Sequence, residues 1–165
     1  SEDIQDEDVV ILLDGDDWLS CSKILNALNH AYKDNCMVTY GSYVMHPYGV
    51  KGPEPSPYPS DVVENNLYRQ DKWRASHLRT FKHHLWKKID VEDLKDDEGK
   101  FYSVSYDQAI MLPLIEMASE RVKYMDSVMH VYNKQNPLNV DKIKAQLQYE
   151  TAQRIRQKSK YQRVG

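Results

Sequence analysis

Three carboxylates crowd into one short stretch, Asp14, Asp16 and Asp17 around Gly15, directly after the apolar run Val9-Val10-Ile11-Leu12-Leu13. Like charges this close repel one another unless something positive lies between them, and an oxygen-only set suits a hard cation such as Mg²⁺ or Mn²⁺. Gly15 leaves room beside the backbone for a bulky ligand such as a diphosphate. Other readings compete. Asp residues cap helices in many strand-to-helix loops, and Asp17 is the one best placed to do so. A calcium loop is excluded, because the twelfth position counted from Asp14 is Leu25, where that loop needs a bidentate Glu. A phosphatase-type arrangement would make Asp14 a nucleophile and Asp16 an acid. It would also need a remote Lys and a second acidic pair at a strand end, and the only other such pair, Asp96-Asp97, lies in a charged loop.

A fourth carboxylate, Asp107, opens the helical stretch Asp107-Gln108-Ala109-Ile110-Met111-Leu112. Local pattern alone makes it an N-cap or a partner of the helix dipole. His77, His83 and His84 have no Cys or Glu at ligand spacing, so surface or hydrogen-bonding roles are expected of them, and His130 reads as a strand histidine with a structural hydrogen bond. Cys21 and Cys36 lack metal-type spacing and are expected as reduced thiols.

The elements that must carry these groups read in order. Val9 to Leu13 is too short for most helices and lacks polar alternation, which predicts a central strand covered on both faces, with the acids at its C-terminal edge. There, open α/β sheets bind ligands. Ser20 and Ser22 offer cap oxygens for a helix with Ile24, Leu25, Leu28 and Tyr32 on its stripe. Met37 to Met45 reads as a strand, with Gly41 marking a bulge or a close approach. Residues 46–60 hold five of the seven prolines and are expected to be an irregular loop that pairs with nothing. Asp61 to Ser76 is polar and partly helical, His77 to Phe81 a short strand, and Leu85 to Ile89 a helical turn. Pro113 kinks or divides the helix opened by Asp107. Val122 to Asn133 is a strand. Asn136-Pro137-Leu138-Asn139 is a turn and cap, and a final amphipathic helix with Ile143, Leu147 and Ile155 spans about 139–161.

At 165 residues the chain is expected to form one domain, 1–165, and the net charge of −3 argues against nucleic acid as a partner. The charge is unevenly spread: residues 1–17 hold eight acids and no base, whereas residues 142–165 hold seven Lys or Arg and one Glu. A solvated basic end follows, with peripheral contact to a membrane surface as the alternative. No apolar run reaches the length of a membrane span and no signal-type leader is visible, which predicts a soluble, cytoplasmic protein. Opening on a central-type strand implies neighbours that are missing or supplied by later segments, and a truncated chain is expected on that ground.

Taken together, Val9 to Leu19, Thr39-Tyr40-Gly41, His77-Leu78-Arg79-Thr80-Phe81, Tyr106-Asp107-Gln108-Ala109 with Pro113-Leu114-Ile115-Glu116, and Tyr132-Asn133 before Asn136-Pro137 resemble the family 2 type of glycosyltransferase with the GT-A fold, in the family's order. The resemblance implies an α/β fold, a mixed sheet flanked by helices. It also implies a hexosyltransferase that moves a sugar, with inversion, from a nucleotide-diphosphate sugar (a UDP-sugar foremost) to a hydroxyl of a saccharide, lipid-linked or protein acceptor. Asp14, Asp16 and Asp17 would then serve the metal, Mn²⁺ or Mg²⁺. Asp14, Trp18 and His77 would face donor or acceptor, Asp107 would be the general base, and His130 could add a metal contact. Tyr106 stands where the family usually has Glu. The family's nucleotide-binding first half has no counterpart, so the implied GT-A domain is incomplete and its open sheet edge would invite self-association. A non-catalytic sugar-binding or assembly module of the same fold, and the phosphatase, remain as alternatives.

Overall fold

A computed structural model describes residues 4–137 and 144–165. The described chain is a mixed α/β structure built on one six-stranded sheet. Its strands are β1 (Val9–Leu12), β2 (Trp18–Leu19), β3 (Val38–His46), β4 (Val50–Lys51), β5 (Arg79–Lys82) and β6 (Val122–Asn133). Their order is β1-β5-β3-β6-β2, with β4 attached to β3. The helices are α1 (Ile24–Ala31), α2 (Ser60–Glu64), α3 (His83–Trp86), α4 (Tyr106–Ala118) and α5 (Ala145–Gln157), with 3₁₀ turns at Val91–Leu94 and Ser119–Arg121.

The backbone of the sheet is the parallel pair β3 and β6, in register from Val38 opposite Val122 to His46 opposite Asn133. Register slips next to Gly41, where a Cβ would stand 2.9 Å from the Met125 carbonyl oxygen, so the glycine permits the close approach expected of it. A parallel pair needs a crossover. Here it runs through β5 and α4, whose residues Met111 to Ala118 are all buried despite the enclosed Pro113. A helix apolar on all sides belongs inside, and Leu112, Leu114 and Ile115 pack with Val38, Tyr40, Phe81 and Leu85 beneath the sheet. On the other face Ile24 and Leu28 of α1 pack on Leu78 and Met129.

Several expectations are corrected. Among the described residues β1 is not central: it ends the strand order, pairs with antiparallel β5 alone, and all four of its residues are half-buried. Its residues still face both layers, Val10 and Leu12 toward α4 and Ile11 toward α1, which is why local pattern could not separate an edge from a centre. Within 46–60, Val50 and Lys51 pair with Met45 and Val44, because Gly49 takes φ +68° and closes a turn after Pro47. Ser20 does not cap α1; its hydroxyl donates to the Val128 carbonyl at 2.6 Å, and the helix starts behind Lys23 without a side-chain cap. The final helix begins at Ala145, and Leu138, Asn139 and Ile143 lie outside the described residues.

The basic end is only partly solvated: Arg154 and Lys160 are exposed, while three other basic residues are docked. Arg163 donates to the Val63 and Glu64 carbonyls, Lys158 to those of Glu92 and Lys95, and Arg156 to those of Arg69 and Asp71. Beneath this strap a bidentate pair, Arg69 to Glu116 at 2.6 and 2.9 Å, is buried against α4, and Glu116 also accepts from the Tyr161 backbone N–H. Among the described residues no helix is long and apolar enough to cross a membrane.

Candidate functional site

The acidic turn is stitched between two strands. Asp17 N–H closes it by donating to the Asp14 carbonyl at 3.1 Å, and the chain then enters β2, where Trp18 and Leu19 lie opposite Val131 and His130 of β6. This pairing divides the three acids. Asp17 turns inward: Oδ1 accepts from the Asn133 backbone N–H at 2.8 Å, and Oδ2 accepts from His130 Nε2 at 2.7 Å, with both side chains fully buried. Asp14 and Asp16 face outward. Asp16 is exposed and accepts from Asn136 Nδ2 at 2.6 Å, while Asp14 accepts from the Tyr106 hydroxyl at 3.1 Å.

That last bond matters for Asp107, because Tyr106 is its neighbour in the first turn of α4. The turn is set by Ser105, whose left-handed backbone (φ 52°) lets its carbonyl accept from Gln108 N–H. Asp107 does not act as a cap. Its Oδ2 accepts from Arg79 Nη2 at 3.0 Å, and the same Arg79 donates to the Ala75 carbonyl and lies 3.4 Å from His77 Nε2.

His77 completes the link back to the acidic turn. Its ring stacks on His130 at 4.4 Å between centroids and on Tyr132 at 5.5 Å, with the edge of Tyr43 against it. Burial first, then the neighbouring Arg79 and His130, hold the His77 imidazole far below its usual pKa, so it stays neutral. The Arg79 N–H pointing at Nε2 fits an acceptor there. Trp18 sets its ring edge-on to His46 at 5.2 Å and stays partly exposed beside Asp16. Burial, followed by the charge of Asp14, pushes the Tyr106 phenol up to about 12, so it remains a donor at neutral pH.

The residues singled out in the sequence therefore share one end of the sheet. Asp17, His130, His77, Arg79 and Asp107 form one chain of contacts, and Tyr106 ties Asp14 to the same helix start. Among the described residues one group could hold a cation: ligand atoms of Asp17, His77 and His130 all lie within 4.8 Å of one another. Both Asp17 oxygens already accept hydrogen bonds there, whereas Asp14 and Asp16 each accept one side-chain hydrogen bond, from Tyr106 and Asn136. Asp96, needed by a phosphatase, instead caps its own turn by accepting from the Glu98 and Lys100 backbone N–H groups.

Sequence reasoning did not assign roles to Arg79, Asn133 or Asn136. For Arg79 the signal was its place two residues after His77; β5 itself begins only at Arg79, so the strand expected from His77 is shorter by two residues. For Asn133 there was none, since its backbone N–H does the work. No protein-family model and no curated protein matches this sequence.

Proposed function

We propose that the protein is a metal-assisted glycosyltransferase of the GT-A type, transferring a sugar from a nucleotide-diphosphate sugar to an acceptor hydroxyl. The observation that supports this most is a hydrogen bond that links two acidic stretches far apart in sequence. Asp14 is bonded to Tyr106, and Asp107 follows Tyr106 on the same helix turn.

Asp14 and Asp16 would hold Mn²⁺ or Mg²⁺, which supplies charge stabilisation to a departing diphosphate. The protein's own groups do the rest. Asp107, oriented by Arg79, takes the proton from the acceptor hydroxyl as that oxygen attacks the anomeric carbon. Neutral His77 and the exposed face of Trp18 shape the sugar-facing wall, and Tyr106 keeps Asp14 in place. Asp17 serves as an internal brace that fixes the turn on β6.

Calorimetry with Mn²⁺ and a UDP-sugar tests the reading. Metal-dependent nucleotide-sugar binding that Asp16→Ala abolishes and Asp107→Asn leaves intact is expected, together with loss of transfer in Asp107→Asn. Absence of nucleotide-sugar binding in the wild type would reject transfer in favour of a non-catalytic module. Trapping of an aspartyl-phosphate analogue on Asp14 would reject it in favour of a phosphatase.

A further inference from the structure

One residue along α4 from Asp107, a cavity of about 520 Å³ opens between the segment 69–73 and α5. Its wall includes Gln108, the residue after the proposed base, with Trp73, Gln148 and Arg156. The charges there do not cancel. Arg69 is neutralised by Glu116 and Asp71 by Arg74. Arg156, half-buried, donates only to neutral acceptors, namely Gln108 Oε1 at 3.0 Å and the backbone carbonyls of Arg69 and Asp71. Among the described residues no carboxylate lies within ion-pair distance of it. Lys72 adds a second, exposed cation at the rim.

A guanidinium fixed in place by neutral groups, at the wall of a cavity, keeps its positive charge for something that enters. Its hold on Gln108 Oε1 leaves that amide's NH₂ to donate elsewhere, and Gln148 adds a second amide. Amides paired with an indole suit a ring carrying hydroxyls and an apolar face, and they suit an acyl chain poorly.

We infer that this cavity binds the acceptor, and that the acceptor is an acidic saccharide whose negatively charged group meets Arg156 and Lys72. The inference rests on the glycosyltransferase reading for the word acceptor; the cavity's preference for an acidic sugar stands on its own walls.

Calorimetry on the full chain, at low salt and without metal or nucleotide, separates the two claims. The probes are glucuronate, glucose and inorganic phosphate. Glucuronate is expected to bind at least about tenfold more tightly than glucose, the ratio that one hydrogen bond to a charged group supplies. Lys72→Glu, at an exposed position, should weaken glucuronate about two- to fivefold and leave both glucose binding and the melting temperature unchanged. Arg156→Gln should remove the preference for glucuronate, and Lys72→Glu keeps the test decisive if that variant does not fold. Equal affinity for glucose and glucuronate, or a glucuronate affinity indifferent to Lys72→Glu, overturns the proposal. Inorganic phosphate binding as tightly as glucuronate overturns the saccharide half of it. Failure of UDP-sugar binding with glucuronate binding intact would instead sink the transferase reading and leave the cavity as a sugar site.

Discussion

The acidic turn contains three look-alike side chains that the structure treats differently, so substituting them one at a time should separate stability from function. Asp17→Ala removes a fully buried carboxylate that accepts from His130 Nε2 at 2.7 Å and from Asn133 N–H at 2.8 Å. His130 Nε2 and the Asn133 N–H each lose their bond to a buried carboxylate, and two hydrogen bonds of that kind are together worth about 3–5 kcal/mol. For a chain of this size each kcal/mol is worth about 2–4 °C of melting temperature, so a fall of about 6–20 °C is expected. Asp16→Ala removes an exposed carboxylate with one side-chain partner, Asn136, and should stay within about 0.5 kcal/mol of wild type. Asp17→Asn keeps an acceptor for Asn133 and should fall between the two. Thermal and urea unfolding followed by circular dichroism give the stabilities, and a Mn²⁺ titration of each folded variant gives metal binding. Equal melting of Asp17→Ala and wild type, or a collapse of Asp16→Ala, would refute the division of the motif into an inner brace and an outer ligand pair.

Other perturbations test the surroundings. His77 is held neutral by burial, Arg79 and His130, so below about pH 6.5 the unfolded chain takes up a proton that the folded chain refuses. Stability should therefore drop by about 1.4 kcal/mol per pH unit on acidification through that range, and His77→Phe should flatten this part of a pH series of melts; an unchanged slope would refute it. Glu116→Ala strands buried Arg69 and should cost about 3–5 kcal/mol, whereas Arg69→Met with Glu116→Leu should recover much of the loss in urea melts. Gly52→Ala places a Cβ about 2.0 Å from the Tyr43 ring, which itself abuts His77, so about 1–3 kcal/mol of destabilisation is expected. A change in the near-ultraviolet aromatic signal should accompany it, and a native-like spectrum would count against the packing described.

Much of this architecture was legible because local pattern and burial agree. The aromatic and β-branched run at Met37 to Met45 and the stretch Val122 to Asn133 became the paired strands β3 and β6, with Gly41 at their tight approach. What stayed hidden depends on partners distant in sequence. Val9 to Leu12 has the composition of a central strand, and only the strand order shows that β5 is its single neighbour among the described residues. The lysines and arginines near the C-terminus look like a solvated end. Arg156, Lys158 and Arg163 are docked because backbone carbonyls of distant segments, at Asp71, Glu92 and Val63 among them, accept from them, and such partners leave no trace in a residue pattern. Glu116 reads as one more helix residue until Arg69 is seen against it.

The same limit explains the acidic motif. Asp16 lies in the turn that the Asp17 N–H closes on the Asp14 carbonyl, whereas Asp17 leads directly into β2 opposite His130 and Val131, so the two neighbours point differently. The buried partner waiting in β6 is a histidine and a backbone N–H, and together they satisfy one carboxylate completely. A second acid turned the same way would be an unpaired buried charge, which costs far more than one bond returns. The outward direction of Asp14 and Asp16 is thus a consequence of how Asp17 is anchored. A rigid inner acid holding two outer ones at the end of a sheet, with Tyr106 fixing the helix start beside them, is an arrangement in which a cation's position would be set before any ligand arrives.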